Sequence, residues 1–201
     1  MLKTHITPSV YGIGFIGVGK YKHSINRETT KEYSEWHAML GRCYSDKCHE
    51  RQPTYKDCYV NEEAHCFQNF AEWWNNNYYE IEGETMHLDK DILYKGNKEY
   101  SFNKMIFVPN RINTLFIKCD SRRGNLPIGV YYNKQNNKYV ASCRIEKHQK
   151  FLGYYDTPHE AFLAYKTFKE QYIKQVADEY KGKIPDRLYD AMYSWEVEED
   201  D

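Results

Sequence analysis

The sequence predicts an α+β protein of two small domains, and three observations carry that expectation. Residues 128–132, 138–145 and 150–155 form three strand-like runs separated by the turn-rich NKQNN and EKHQ, and a capped amphipathic helix follows them. Residues 85–116 have the order strand, loop, strand, helix. A chain of 201 residues exceeds what one core commonly serves, which favours two cores over one.

Along the chain, YGIGFIGVGKY carries Gly12, Gly14, Gly17 and Gly19. A dinucleotide fingerprint would need a buried strand before it and a helix directly after it, and the polar stretch 20–27 supplies no helix, so a glycine-rich hairpin or extended arm is expected. Thr29 with Glu32 opens a predicted helix over 31–44, with Tyr33, Trp36, Leu40 and Tyr44 near helical spacing. The polar segment 42–57, interrupted by Pro53, is expected as a loop. Phe67, Phe70, Ala71 and Trp74 mark a second helix that Asn75, Asn76 and Asn77 end. Short strands are expected at 85–88 and 105–108, and Pro109 begins a helix running to about Phe116. The basic stretch 118–126, with Gly124 inside it, is the expected linker, with the boundary near Ser121: domains 1–120 and 121–201. In the second domain a three-stranded antiparallel sheet is followed by Thr157, Pro158 and Glu160 as a capping box. The helix they open runs to about Tyr180, with Ala161, Ala164, Tyr165, Phe168 and Tyr172 along one stripe.

Composition narrows the function. Hydrophobic residues make up 41% of the chain and Tyr contributes 20 residues, enough for packed cores. No apolar run approaches the roughly 18 residues of a membrane span, and no leader pattern opens the chain, so a soluble, cytoplasmic protein without a membrane partner is expected. The six cysteines, Cys43, Cys48, Cys58, Cys66, Cys119 and Cys143, show neither a disulfide framework nor a C-x-x-C pair, and reduced thiols are expected. His37, Cys43, Cys48, His49, Cys58, His65 and Cys66 leave a structural zinc site as a less favoured alternative. Between residues 61 and 91 eight acids stand against Lys90 alone, a net of −7, whereas residues 111–150 hold nine basic residues against two acids, a net of +7. Such a basic window serves either phosphate binding or solubility.

Pattern supports the former. In the middle strand, alternation sends Tyr139, Ala141, Cys143 and Ile145 to the helix side and Lys138, Val140, Ser142 and Arg144 to the other, a polar and basic face of a width to enter a major groove. The stretch IGVYYNKQNNKYVASCRIEKHQKFLGYYDTPHEAFLAYK resembles the APETALA/ethylene-response-factor (ERF) type of DNA-binding domain, through Gly129-Val130, Lys138-Tyr139, Ala141, Leu152-Gly153, Thr157, Glu160-Ala161 and Ala164-Tyr165. The resemblance implies double-stranded DNA as partner, with contacts at Tyr131, Asn133, Ser142, Arg144, Gln149, Lys150 and Phe151. Lys138, Arg122 and Arg123 are added on charge. Which way Phe151 faces is open at this point.

The stretch HLDKDILYKGNKEYSFNKMIFVPNRIN resembles the HNH motif of phage and intron-encoded homing endonucleases, a ββα-metal unit, and WHAMLGRCYS and PTYKDC resemble the lead-in of those proteins. By position the resemblance implies Asp89 and Asn113 as ligands of a divalent metal, magnesium for such oxygen donors, and Asn103 as the Asn that orients the motif. Lys90 stands where that family has its general-base His. A protonated lysine accepts no proton, so Lys90 would act as a base only with a much lowered pKa, or as a cation it would stabilise the transition state; His87 is the other candidate base. The expected function is therefore a sequence-specific, metal-dependent endonuclease or nickase. The alternatives are a DNA-binding regulator or anti-defence protein that retains the HNH scaffold without its chemistry, and a protein-binding module built on the acidic segments before Asp89 and at 196–201.

Overall fold

Aromatic side chains at helical spacing build the first half of the molecule. In the computed structural model, which describes residues 7–117 and 124–201, helix α1 (Lys31–Tyr44) buries Trp36, Met39, Leu40 and Cys43, and α3 (Phe67–Asn77) buries Phe67, Phe70, Ala71 and Trp73. The two stripes share one core with Leu88, Tyr100, Met105 and Phe107. Its indoles satisfy their N–H groups on backbone: Trp36 Nε1 donates to the Ala64 carbonyl at 2.8 Å and Trp73 Nε1 to that of Phe102 at 3.0 Å. The glycine-rich arm lies against this core. Phe15 donates to the His65 carbonyl and accepts from Phe67 N, and a Cβ on Gly14 would lie 2.4 Å from Leu40 Cδ1 and 2.8 Å from the Trp36 ring.

Several expectations are corrected here. Thr30, not Thr29, stands at the N-cap of α1, and its Oγ1 donates to the Lys22 carbonyl instead of capping the helix, because the preceding hairpin of β1 (Ser24–Ile25) and β2 (Glu28–Thr29) returns the chain beside it. The expected loop 42–57 contains a short helix, α2 (Asp46–Arg51), and a 3-10 turn at Pro53–Tyr55. The three asparagines complete α3: Asn75 and Asn77 bond back to the Ala71 and Trp73 carbonyls. Two residues of β3 (Tyr59–Val60) pair in parallel with β5 (Glu99–Tyr100), a link too short to leave a pattern in the sequence. The strand–loop–strand–helix order is present as β4 (Met86–Asp89) paired with β6 (Ile106–Pro109), followed by α4 (Asn110–Asn113) and a 3-10 turn at Thr114–Phe116.

The compact units are Met1–Val108 and Pro109–Asp201, a division earlier than Ser121, which lies outside the described residues together with Lys118, Cys119, Asp120, Arg122 and Arg123. In the second unit β7 (Val130–Asn133), β8 (Lys138–Ile145) and β9 (His148–Tyr155) form the expected antiparallel sheet in the order β7-β8-β9. Helix α5 (Pro158–Glu179) begins with the expected capping box of Thr157 and Glu160 and packs on that sheet through Ala161, Phe162 and Tyr165 against Val130, Ala141 and Cys143. A last helix, α6 (Asp186–Tyr193), went unread in the sequence; it packs on α5 and buries Leu188 and Met192. The acidic C-terminal segment is folded down, with Lys166 Nζ on the Val197 carbonyl, Glu170 Oε1 on Val197 N and the Glu199 carbonyl on Ile128 N. Among the described residues no helix is long and apolar enough to cross a membrane.

Gly129 joins this packing to a backbone requirement. Its φ is +76°, and a Cβ there would meet the Tyr165 ring at 2.1 Å. Gly129→Ala is expected to destabilise the protein by about 2–3 kcal/mol, through left-handed strain and overpacking together, as measured by urea unfolding.

Candidate nucleic-acid interface

Two regions hold the residues singled out in the sequence. On the sheet the side away from α5 is set by register: Tyr131 pairs with Val140 and Val140 with Tyr154, Asn133 with Lys138, Ser142 with Phe151, and Arg144 with Gln149. Tyr131, Asn133, Lys138, Arg144, Gln149 and Phe151 are thus brought to one face. Arg144 is exposed and its Nε donates to the Glu146 carbonyl at 3.1 Å, which fixes the guanidinium at the end of the strand. Asn133 Oδ1 accepts from Gln135 N and Asn136 N and so caps the β7–β8 turn.

Two predicted contacts are placed differently from expectation, and a third is engaged within the fold. Ser142 is buried and its Oγ accepts from Gln149 Nε2 at 2.8 Å, so it positions Gln149 and presents no surface of its own. Lys150 pairs with Cys143, which belongs to the helix-side core, and its Nζ lies 4.9 Å from the centre of the Phe168 ring of α5; it is on the opposite side from Arg144. Lys138 is ion-paired with Asp156. Arg122 and Arg123 lie outside the described residues. Conversely, Tyr154, half exposed beside Phe151, belongs to the face and was missed. Strict alternation cannot find it, because β9 is irregular at Leu152; the signal was Gly153.

Comparison with protein-family models, with curated proteins and with solved structures finds no match to this chain. Its chemistry is therefore judged on its own residues.

The second region is the end of β4. Met86 and Leu88 point into the core, so His87 and Asp89 share the other side of the strand. Asp89 Oδ1 accepts from Asp91 N at 2.9 Å and Ile92 N at 2.7 Å, the arrangement of a side chain capping its own turn. Burial first, then the neighbouring Asp91 carboxylate, pushes the Asp89 carboxyl up to about 6. Lys90 is buried, with Nζ 3.1 Å from Asp91 Oδ2 and 5.9 and 5.8 Å from the ring centres of Tyr55 and Tyr100. Burial, the largest single influence, would lower its pKa, but the Asp91 carboxylate together with Cys58 and Asp89 outweighs that and holds the ammonium above the ordinary lysine value. Lys90 is consequently a cation at neutral pH and no base.

The loop after it is held by Asn97, whose Nδ2 donates to the carbonyls of Lys90 and Glu99, both at 2.7 Å. Asn103, the expected orienting residue, instead accepts from Ser101 Oγ within its own turn. The Gly96-Asn97 pair was the sequence signal for this. Asn113 is half-buried in α4, in the second unit, whereas Asp89 belongs to the first.

These donors fit a magnesium ion poorly. One Asp89 oxygen is committed to two backbone N–H groups, and the adjacent positive charge is already supplied by Lys90. Among the described residues no three His, Cys, Asp or Glu side chains converge as a metal site. Of the groups weighed for zinc, His49 Nε2 lies on the Arg42 carbonyl, His65 Nε2 on that of Val60 and Cys58 Sγ on that of Thr54, and burial pushes the Cys43 thiol up to about 12.

Lys90→Met keeps the stem between Tyr55 and Tyr100 but removes the charge, and should cost about 2 kcal/mol at pH 7.5, less than a fully buried pair because Asp91 is half exposed. The raised Asp89 carboxyl means that the folded state gains from its proton, so this contribution is full at low pH and is lost as pH rises towards and past about 6. The Lys90→Met deficit should therefore shrink at pH 5. Urea unfolding at both pH values checks this, and an equal deficit at both would show that the Lys90 charge is not coupled to the protonation of Asp89.

Proposed function

We propose that this chain is a sequence-specific binder of double-stranded DNA, in which the face of β7–β9 away from α5 enters the major groove. In this reading the HNH-like segment serves as a binding scaffold without hydrolytic chemistry. The observation that carries the proposal is the shared face of Tyr131, Asn133, Arg144, Gln149 and Phe151, backed on its other side by α5. Three strands at about 4.8 Å spacing span roughly 10 Å, which a major groove about 12 Å wide accepts. Arg144 suits the O6 and N7 acceptors of guanine, and Gln149, steadied by Ser142, suits the N6 and N7 of adenine. The ERF-type resemblance points the same way.

The absence of hydrolysis is proposed from Lys90. Where a general base is needed the chain has a buried ammonium held protonated by Asp91. A second reading, a metal-dependent endonuclease or nickase, is favoured by the strand–loop–strand–helix order of β4, β6 and α4.

Binding is tested by fluorescence anisotropy with the full-length protein on a duplex selected from a randomised pool. Arg144→Ala should weaken binding by about 10- to 100-fold and relax preference at one base pair, whereas Lys150→Ala should leave base preference unchanged. Wild-type affinity in Arg144→Ala would remove the sheet face from the proposal.

Cleavage is tested on supercoiled plasmid with magnesium or EDTA, beside Asp89→Asn, which retains the Oδ1 acceptor and hence the local fold. Intact plasmid under all conditions is expected. Nicking or linearisation that needs both magnesium and the Asp89 carboxylate would replace the scaffold reading by the nuclease.

A further inference from the structure

Opposite Ala141 and Ser142 the third strand carries an extra residue, since Ala141 pairs with Gly153 and Ser142 with Phe151. The bulge resets the alternation of β9 at Leu152, which turns to the helix-side core. Gly153 accommodates it, with φ at +149° and the Tyr155 ring folded to within 3.0 Å of where a Cβ would sit. As a result Phe151 and Tyr154 face the same way, with ring centres 5.0 Å apart, and Tyr131 joins them across Val140. Phe151 is 53% exposed, Tyr131 50% and Tyr154 49%.

Three half-exposed rings on the same face as Arg144, around Val140 and Ser142, form an apolar patch among polar groups, and against the edges of paired bases the ring faces offer chiefly apolar contact. The major groove presents one apolar group on base edges, the C5 methyl of thymine; the others are hydrogen-bond donors or acceptors. We propose that Phe151, Tyr154 and Tyr131 form a thymine-methyl reader, so that the preferred duplex places thymines beside the guanine bound by Arg144. The inference rests on the sheet face being the DNA-binding surface proposed above and adds the chemical identity of the bases it selects.

The test separates the two. A duplex pool with a randomised core is selected on the full-length protein, and the preferred duplex is then synthesised with thymine or with uracil, which differ by that methyl alone. In the wild type, uracil is expected to weaken binding by about fourfold for each methyl contacted, the value of burying one such group. In the Phe151→Ser/Tyr154→Ser variant, exposed positions both, the two duplexes should bind equally. A preferred duplex without thymine, or equal wild-type affinity for the thymine and uracil forms, overturns the thymine reader and leaves DNA binding standing. Tighter binding of a separated strand than of the duplex overturns it in favour of stacking on unpaired bases. A pool from which nothing is retained overturns the DNA-binding proposal itself.

Discussion

Gly129, Ala141 and Ala161 remove side-chain bulk where α5 crosses the sheet, and the Tyr165 ring fills the space beside Gly129. That contact turns the inner side of β7–β9 into core and leaves the outer side to be filled by polar and aromatic groups. Because side chains alternate along a strand, fixing the inner set fixes the outer one, and a slip of one residue would exchange them. The bulge at Leu152 then adjusts the third strand alone. It gives the core a leucine and the outer face two rings, which an unbroken strand could not do with the same residues.

In the first unit the sequence DKD closes β4 with three charges in succession, and the fold arranges them unequally. Asp89 turns back on its own backbone, Asp91 stays half in solvent, and Lys90 passes inward between two tyrosine rings to pair with Asp91. A histidine in place of Lys90 would lack the reach and the fixed charge to compensate two neighbouring carboxylates. Lys90 is thus the residue that makes the local acidic turn tolerable, and its protonation is bound to the stability of that turn.

Much of this was legible in the sequence. The sheet of the second unit, its capping box and the helix stripe were readable because long periodic runs bounded by turn residues leave few alternatives. The strand–loop–strand–helix order was readable for the same reason. What escaped depends on contacts between residues distant in sequence: β3 and β5 are two residues each, α2 lies in a polar stretch without an apolar stripe, and Thr30 is drawn from capping by the Lys22 carbonyl. At the candidate interface, alternation placed Lys138 and Arg144 on one side of the middle strand; the ERF-type resemblance implied Tyr131, Asn133 and Gln149, which the register brings to that side, and Lys150, which it does not; neither found Tyr154, since a bulge changes the count. Asn97 and Asn103 have the same chemistry, and only the folded loop distinguishes the one that reaches the Lys90 carbonyl.

Charge was the least transferable signal. The basic window of residues 111–150 ends before two of the acids that neutralise part of it, Glu179, bonded to Arg111, and Asp156, bonded to Lys138; Arg111 also meets Glu146 within the window. Lys150 lies against Phe168. Part of the acidic segments is engaged in the same way, with Glu72 on Lys20 and Tyr21, Glu80 on Lys31, and Glu199 on His159. A face whose cations are partly spent within the fold gains less from phosphate neutralisation, the sequence-independent part of DNA affinity. In the proposed DNA complex more of the binding would then come from base edges, through Arg144, Gln149 and the rings, and contacts of that kind carry discrimination between sequences. Under that proposal the internal pairing of charge and the exposed aromatic patch act in one direction, favouring selectivity over general attraction to the backbone.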